Sequence, residues 1–160
     1  MTADLPYRPC AGVMLINAEG QVFVGQRLDS TLEAWQMPQG GIDPGEDPLD
    51  AAYRELWEET GVELAHVPLV AQAGEELQYD LPDELIGKLW KGKWRGQRQR
   101  WFLFRLTAGD DAIDSAAAER EFRAWRWIDP AELPRVIVPF KRELYVRLLE
   151  IFAEPLGLTD

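Results

Sequence analysis

Three glutamates are concentrated in one short stretch, RELWEETGV, which covers residues 54–62. On a helix each residue turns about 100°, so Glu58 and Glu59 fall within about 60° of Glu55 and the three carboxylates share one face. Like charges at these spacings destabilise a helix by about 0.2–0.5 kcal/mol per pair. A divalent cation would relieve this repulsion, because Mg²⁺ and Mn²⁺ prefer hard oxygen ligands. Taken alone, the stretch is better explained as a solvated acidic face, the usual role of a charge run.

The carboxylates require a helix whose other face is anchored in a core. Asp47 is a suitable capping residue, Pro48 suits the first helical position, and Gly61 indicates the end of the helix. Ala52 and Leu56 lie beside the carboxylate face and are expected to pack against a sheet. These signals predict a helix over residues 48–60.

Alternating and continuous apolar runs predict several strands around this helix. The turn residues NAEG separate two runs that are expected to form a hairpin, and a C-terminal apolar stripe that includes Phe140, Leu144 and Leu148 predicts a second main helix. The pattern indicates a mixed α+β protein. The predicted strands cover residues 11–16, 21–27, 35–37, 67–79, 97–107 and 121–129, and the second helix covers residues 139–152.

Composition limits the classes of function. A chain of 160 residues with 46% hydrophobic residues fits one globular domain, and we expect residues 1–160 to form it. The formal net charge of −11 disfavours binding to duplex nucleic acid through a general positive field. No signal peptide or membrane span is indicated, which predicts a cytoplasmic protein with no membrane partner. With Cys10 as its single cysteine and His66 as its single histidine, the chain cannot build an ordinary zinc site.

The spacing around the glutamates extends into a longer motif. From Gly40 five residues lead to Glu46, and seven more lead to Arg54-Glu55-Leu56, which are followed after one residue by Glu58-Glu59 and after another by Gly61-Val62. This 23-residue pattern resembles the Nudix box at every specified position. The resemblance implies a Nudix hydrolase, with an α/β/α sandwich around a mixed β-sheet.

The flanking segments resemble one branch of that family, the bacterial RNA 5′-pyrophosphohydrolases and the plant-type dinucleoside polyphosphate hydrolases. The segments are YRP at 7–9, GQR at 25–27, WQMPQGGID at 35–43, YDLP at 79–82, WRGQRQRWFLFRL at 94–106, EFRAWRW at 121–127 and FKRELY at 140–145. The resemblance implies removal of pyrophosphate from 5′-triphosphorylated RNA. The alternatives are asymmetric hydrolysis of diadenosine tetraphosphate to ATP and AMP, and a non-catalytic nucleotide-binding module, which the intact box glutamates disfavour.

The resemblance also implies roles for individual residues. Glu55 and Glu58 are the candidates for the general base, and Glu46 is expected to organise the loop. Mg²⁺, with Mn²⁺ as a possible substitute, is expected on Glu55, Glu58, Glu59 and Glu121. The residues expected to meet a nucleotide polyphosphate or the 5′ end of RNA are Arg8, Arg27, Gly40, Gly41, Tyr79, Phe140 and Lys141. From the residues alone, Arg8 and Arg27 could equally serve as surface ion-pair partners, and Phe140 could belong to the core.

One further stretch combines cations with aromatic residues. Trp90, Trp94 and Trp101 stand among six lysines and arginines between residues 88 and 100. Such a stretch can hold the distal part of a nucleotide or an RNA chain. It can also be a strand and a solvated loop with Trp101 in the core. The sequence leaves the oligomeric state open.

Overall fold

Seven strands form one mixed sheet in the computed structural model, which describes residues 5–28, 34–88, 92–114 and 122–158. The two longest strands, β1 and β6, run parallel through the centre, and the other strand pairs are antiparallel. The strands are β1 (Tyr7–Ile16), β2 (Val22–Arg27), β3 (Gln39–Gly41), β4 (Leu69–Gln72), β5 (Leu77–Asp80), β6 (Gly96–Arg105) and β7 (Phe122–Ile128).

The sheet divides into two halves along β1 and β6. The main strand order is β4-β6-β1-β2-β7, while β3 pairs with β1 and β5 pairs with β6. Because β3 pairs with Cys10–Gly12 and β5 pairs with Gly96–Gln99, the amino-terminal halves of the two central strands lie between β3 and β5. We call this β3-β1-β6-β5 segment the sheet floor. It carries most of the residues expected to bind substrate.

Helices cover both faces of the sheet. The helix α1 (Pro48–Thr60) packs Ala52 and Leu56 on one face, and α3 (Arg142–Ile151) packs its buried side chains on the other. Two single-turn helices complete the second layer, α2 (Leu133–Val136) and α4 (Ala153–Leu156). This arrangement confirms the α/β/α sandwich around a mixed sheet. None of the described helices is long and apolar enough to cross a membrane.

Burial on both faces explains the continuous apolar run in β1. Val13 and Leu15 contact the core beneath α1, whereas Met14 and Ile16 contact the core beneath α3. A central strand with two covered faces needs apolar residues at successive positions rather than alternating ones. Burying each such side chain contributes about 1.5–3 kcal/mol relative to exposure. These two cores hold the sheet floor in place.

The predicted hairpin and the first helix are confirmed. Ile16 pairs with Val22 across the hairpin turn, where Asn17 Oδ1 accepts the backbone N–H of Gln21 at 2.9 Å. The helix α1 begins at Pro48 and ends at Thr60, and it is capped by Gly61, whose φ of 72° lies in the left-handed region that glycine favours. The Asp47 side chain forms no capping hydrogen bond, which differs from the prediction.

The prediction of a strand at residues 35–37 is wrong. Gln36 forms only an isolated bridge with Gly25, and the Met37 N–H donates to the Tyr145 hydroxyl at 2.9 Å instead of to a strand. Pro38 has no N–H to donate, so regular pairing begins only at Gln39.

Two other predicted boundaries also change. The single strand expected over residues 67–79 is divided, because β4 and β5 pair with different halves of β6. The C-terminal helix begins with a 3₁₀ turn, Pro139–Lys141, which places Phe140 before the α-helical turns. Leu144, Leu148 and Phe152 are buried along the expected stripe.

Gly12 provides a direct test of the packing beneath the sheet floor. The Trp101 indole lies across Gly12, so a Cβ at this position would overlap the ring. We expect Gly12→Ala to lower the free energy of unfolding by about 1–3 kcal/mol, since neither the central strand nor the indole can move away. The matched control is Gly74→Ala, because nothing lies within 4 Å of a Cβ there and the change should stay within about 0.5 kcal/mol. Equal denaturant midpoints for the two variants would contradict this packing.

Candidate active site

The three clustered glutamates lie at different depths on α1. The Glu58 side chain is 46% exposed, that of Glu55 is 13% exposed, and Glu59 as a residue is only 3% exposed. Because Ala52 and Leu56 anchor the neighbouring face in the core, the carboxylates follow a line from solvent into the protein. The helix therefore places carboxylate oxygen atoms both at the surface of the protein and in its interior.

Arg54 connects this helix with the loop that precedes it. Its Nε and Nη2 atoms each donate to one carboxylate oxygen of Glu46 at 2.8 Å, and Nη2 also donates to the Gly41 carbonyl at 2.8 Å. Its Nη1 atom donates to Glu55 at 2.9 Å and lies 3.4 Å from the Glu58 carboxylate. One guanidinium thus orients both candidate bases and fixes the loop.

Glu46 organises the loop, as the sequence predicted. Besides the two bonds from Arg54, its Oε1 atom accepts the backbone N–H of Asp43 at 3.0 Å. The hydrogen bonds from Arg54, followed by the bond from Asp43, lower the pKa of Glu46 to about 2. The carboxylate is therefore ionised throughout the neutral range.

Two successive glycines let functional side chains approach the backbone. Gly40 faces α1, and a Cβ there would overlap the Glu55 carboxylate. Gly41 faces the opposite side, where a Cβ would lie 2.7 Å from Nη2 of Arg8. The glycines thus bring a candidate base and a candidate phosphate ligand to neighbouring positions of one strand.

An open cleft of about 590 Å³ joins these two side chains. This volume is in the usual range for small-molecule sites. Arg8 and Glu55 both line the cleft, and Trp94, from the basic aromatic stretch, lines it as well. Its other lining residues are Pro9, Gly41, Ile42, Asp43, Pro44, Gly45, Glu46 and Arg54. Trp101 lies in the core, and Trp90 lies outside the described residues.

A second group of predicted residues meets near the end of β5. The ring centroids of Tyr79 and Phe140 are 5.9 Å apart, and Lys141 Nζ lies 5.2 Å from the Tyr79 ring centroid. The positive charges of Arg8 and Arg27 act on the Tyr79 hydroxyl, although burial has the larger effect and raises its pKa. The structure therefore brings these five residues into one cationic and aromatic neighbourhood.

Lys141 carries its charge in an unfavourable environment. Burial, followed by repulsion from Arg27, lowers the pKa of the ammonium group to about 8. Within the described part of the chain, no carboxylate lies within 4 Å of it. An anionic ligand is the partner that would favour the charged form.

The metal assignments stay predictions. Among the described residues, no three histidine, cysteine, aspartate or glutamate side chains converge as a metal-holding group. Arg54 Nη1 lies against both Glu55 and Glu58, and Glu121, the fourth expected ligand, lies outside the described residues. The donor set itself, carboxylate oxygens beside a glycine backbone, fits a hard divalent cation.

Some residues of this region were not recognised from the sequence. No site role was predicted from the sequence for Arg54, which binds Glu46, Glu55 and the Gly41 carbonyl. The two glutamines of β6, Gln97 and Gln99, are buried beside the site. Their signal was present in GQRQRWFLF, where amides alternate with arginines before an apolar run.

The pair between Arg54 and Glu46 has a testable effect on stability. The folded-state pKa of Glu46 lies below its ordinary value of 4.5, so its contribution is full above pH 4.5 and is lost as the pH falls towards 2. We expect Glu46→Gln to lower the free energy of unfolding by about 1–2 kcal/mol at pH 7 and by less near pH 3, as measured with urea.

The matched control is Glu75→Gln, which weakens the half-exposed pair with Arg147. This change should cost less than about 0.5 kcal/mol, because solvent screens the pair. A deficit for Glu46→Gln that is no larger than that of the control would contradict the proposed anchoring of the loop.

Known proteins resemble this chain over nearly its full length. A family model described as the NUDIX domain matches residues 6–148. A protein of Sphingopyxis alaskensis named RNA pyrophosphohydrolase is 62% identical over 148 residues, which cover 92% of this chain and 94% of the relative. A protein of the same name from Roseobacter denitrificans is 56% identical over 150 residues, which cover 94% of each chain.

A solved structure shares the fold of this chain. The solved structure of the E. coli dihydroneopterin triphosphate pyrophosphohydrolase superposes with a TM-score of 0.71, covering 92% of this chain and 99% of that one at 18% identity. At this identity the likeness concerns the fold alone. Taken with the family match over residues 6–148, it confirms the resemblance first seen in the box from Gly40 to Val62. The chain belongs to the NUDIX domain family of hydrolases.

Proposed function

We propose that this protein is an RNA 5′-pyrophosphohydrolase, which removes pyrophosphate from 5′-triphosphorylated RNA. The observation that carries the proposal is the junction at β3, where Gly40 contacts Glu55 and Gly41 contacts Arg8. There the carboxylate helix for hydrolysis meets the cationic and aromatic neighbourhood of Arg8, Arg27, Tyr79, Phe140 and Lys141, which we call the proposed nucleotide pocket. Relatives named RNA pyrophosphohydrolase, 56–62% identical over almost their whole length, support the same substrate.

The cations of the pocket account for how an acidic protein holds a polyphosphate. The chain has a formal net charge of −11, so its general field repels such a substrate. Arg8, Arg27 and Lys141 create a local positive field, which Arg8 and Arg27 already exert on the buried Tyr79 hydroxyl. We assign these three residues to the phosphates of the substrate, which is a proposal about their roles.

The aromatic residues of the pocket suit the first bases of the RNA. Tyr79 and Phe140 present rings 5.9 Å apart, and base–aromatic stacking is worth about 1–3 kcal/mol per base. Phe140 also packs against the core beneath α3, so its ring is held in position by the fold. Recognition of a few terminal nucleotides needs no extended basic surface.

The metal ligands belong to the same proposal. Glu55, Glu58, Glu59 and Glu121 would hold Mg²⁺, with Mn²⁺ as a substitute. Bound there, the cation would neutralise phosphate charge and lower the pKa of water. Nudix hydrolases typically need divalent metal ions, and which ion serves here is part of the proposal.

The chain's own groups then perform the proton transfer. A water oxygen bonds to the α-phosphorus, the bond from that phosphorus to the bridging oxygen breaks, and pyrophosphate leaves an RNA with a 5′-monophosphate. Glu55 or Glu58 accepts the proton of the water. Arg54 donates to Glu55, which lines the cleft, and its Nη1 atom lies 3.4 Å from the Glu58 carboxylate. Gly40 allows the Glu55 carboxylate to reach the backbone of β3.

The direct test compares the two substrates that the sequence left open. We expect kcat/KM for 5′-triphosphorylated RNA to exceed that for diadenosine tetraphosphate by at least about tenfold under the same divalent-ion conditions. The reverse order would assign the protein to dinucleoside polyphosphates. Binding of both compounds without any product would indicate a non-catalytic module.

Two further proposals are that residues 1–160 form one domain and that the protein is cytoplasmic.

Glu58→Gln tests the carboxylate face in the same assay. The substitution removes one charge from a half-exposed side chain, so folding should be preserved while kcat falls by at least about a hundredfold. Glu63→Gln serves as the matched control, because Glu63 is exposed beyond the C-terminal end of α1 and should retain wild-type turnover. Normal turnover by Glu58→Gln would remove Glu58 from the machinery.

The pKa of Lys141 predicts a pH dependence of substrate binding. Since this value is about 8, the group is mostly charged at pH 7 and loses its charge as the pH rises towards 9. We expect KM for 5′-triphosphorylated RNA to rise by about five- to tenfold from pH 7 to pH 9, and Lys141→Arg, which stays charged, to abolish this rise.

Stability measurements separate this role from a structural one. The folded-state pKa of Lys141 lies below its ordinary value of 10.5, so the charged side chain reduces stability at neutral pH and this cost disappears as the pH rises. Lys141→Met should therefore weaken binding without lowering the free energy of unfolding at pH 7. A large loss of stability in this variant would argue for a structural role.

A further inference from the structure

One face of β6 carries three buried polar side chains in a row. Gln97 is 1% exposed, Gln99 is 2% exposed and Trp101 is 1% exposed, and they occupy alternate positions on the strand. Burying a carboxamide is costly unless its donors and acceptors are satisfied. An apolar residue at either glutamine position would avoid that cost, so two amides in a central strand require an explanation.

The three side chains form a hydrogen-bonded chain with a defined direction. Trp101 Nε1 donates to Gln99 Oε1 at 2.7 Å, and Gln99 Nε2 donates to Gln97 Oε1 at 2.7 Å. The indole N–H can only donate, so Gln99 must turn its oxygen towards the tryptophan and its nitrogen towards Gln97. Gln97 must then accept with its oxygen. The orientation of both amides therefore follows from the indole.

The free end of this chain is the Nε2 group of Gln97, a donor. Among the described residues it donates to no acceptor in the protein. Gln97 pairs with Arg8 on β1 and with Tyr79 on β5, so it lies between them in the sheet floor. Both neighbours belong to the pocket that the proposed function assigns to the nucleotide.

A second polar group at the same place lacks a protein partner. Tyr79 is only 8% exposed, and its hydroxyl is buried without a hydrogen-bond partner in the described part of the structure. Lys141 Nζ lies 5.2 Å from the same ring. Tyr79 and Gln97 are paired on neighbouring strands, and Lys141 lies beside the Tyr79 ring, so these three polar side chains are close neighbours. A polar ligand is the partner that would satisfy all three.

We propose that Gln97 donates a hydrogen bond through Nε2 to a phosphate oxygen of the substrate, and that Trp101, acting through Gln99, is the positioning residue that keeps this donor directed into the pocket. The neighbouring cations select an anionic acceptor over a neutral one. The identification of that acceptor rests on the proposed function. The direction of the hydrogen-bonded chain rests on the geometry alone.

Direction matters because an amide can present either of two opposite groups. If Gln97 rotated by 180°, its carbonyl oxygen would face the pocket and would repel a phosphate oxygen. The lone pairs of Gln99 and Gln97 are committed to the indole side, which prevents that rotation. The indole N–H of Trp101, a residue that is only 1% exposed, thus sets which group Gln97 presents, four residues away along the strand.

Two variants break the chain without adding charge. Trp101→Phe removes the indole N–H, and Gln99→Met keeps the tryptophan in place while removing both amide functions. We expect each to raise KM for 5′-triphosphorylated RNA by about tenfold while kcat changes by less than about threefold. Urea unfolding identifies any variant that is too unstable to interpret. KM values equal to that of the wild type in a folded variant would overturn the positioning role.

A third variant tests the donor itself. Gln97→Glu replaces Nε2 by a carboxylate oxygen of the same shape and should raise KM by at least about a hundredfold. The matched control is Gln78→Glu, the same change at an exposed position of the neighbouring strand β5, which should alter KM by less than about threefold. Similar effects of the two changes would mean that net charge, rather than the donor, is responsible.

A spectroscopic measurement on the wild-type chain needs no variant. Titration with α,β-methylene ATP and Mg²⁺ should shift one side-chain amide proton of Gln97 downfield in a ¹H–¹⁵N spectrum, since it gains a charge-assisted acceptor. An unshifted Gln97 resonance at saturating analogue would overturn the proposal. If the wild-type enzyme releases no pyrophosphate from RNA yet this resonance shifts, the proposed function fails and the inference stands.

Discussion

Repulsion among carboxylates is the constraint around which this site is built. Glu55 and Glu58 project from one helix towards a loop that adds Asp43 and Glu46, and a single guanidinium, Arg54, contacts all four within 3.8 Å. This cation holds the loop to the helix and contacts both candidate bases, of which Glu55 lines the cleft. It stabilises the arrangement only in part, since one positive charge faces four negative ones. The uncompensated negative charge would favour the binding of a divalent cation, and the cation would in turn bind a phosphate.

The sheet supplies the opposite charge next to this helix. The parallel pairing of β1 with β6 leaves their amino-terminal halves between β3 and β5, and Arg8 and Tyr79 face the same side of this sheet floor. Gly40 and Gly41 face opposite sides of the sheet, so carboxylates and cations approach one strand without a barrier of side chains between them. An acidic protein can thus bind an anionic substrate, because the cations are local and partly desolvated. Desolvation also makes one of them, Lys141, sensitive to mildly alkaline pH.

The buried amides of β6 show how a core residue can act on a binding surface. Trp101 fills the space above Gly12, which is a packing role, and its single N–H determines the orientation of Gln99 and then of Gln97. In the role proposed for Gln97, packing and recognition would be coupled along one strand. A donor held in this way loses little conformational entropy on binding, since its orientation is set before the ligand arrives.

The sequence by itself determined the helix over residues 48–60, the hairpin at Asn17–Gln21 and the family, because local signals are sufficient for these: turn residues, caps and a 23-residue spacing. It missed the strand at Gln39–Gly41, since the pairing partner of that segment lies far away in the chain. Only the tertiary structure decided that Gly40 meets Glu55, that Lys141 lies beside the Tyr79 ring, and that Trp101 is connected to Gln97 through Gln99. Each of these contacts joins elements whose distance in space depends on sheet register, and register is set by the packing of both cores rather than by any local motif.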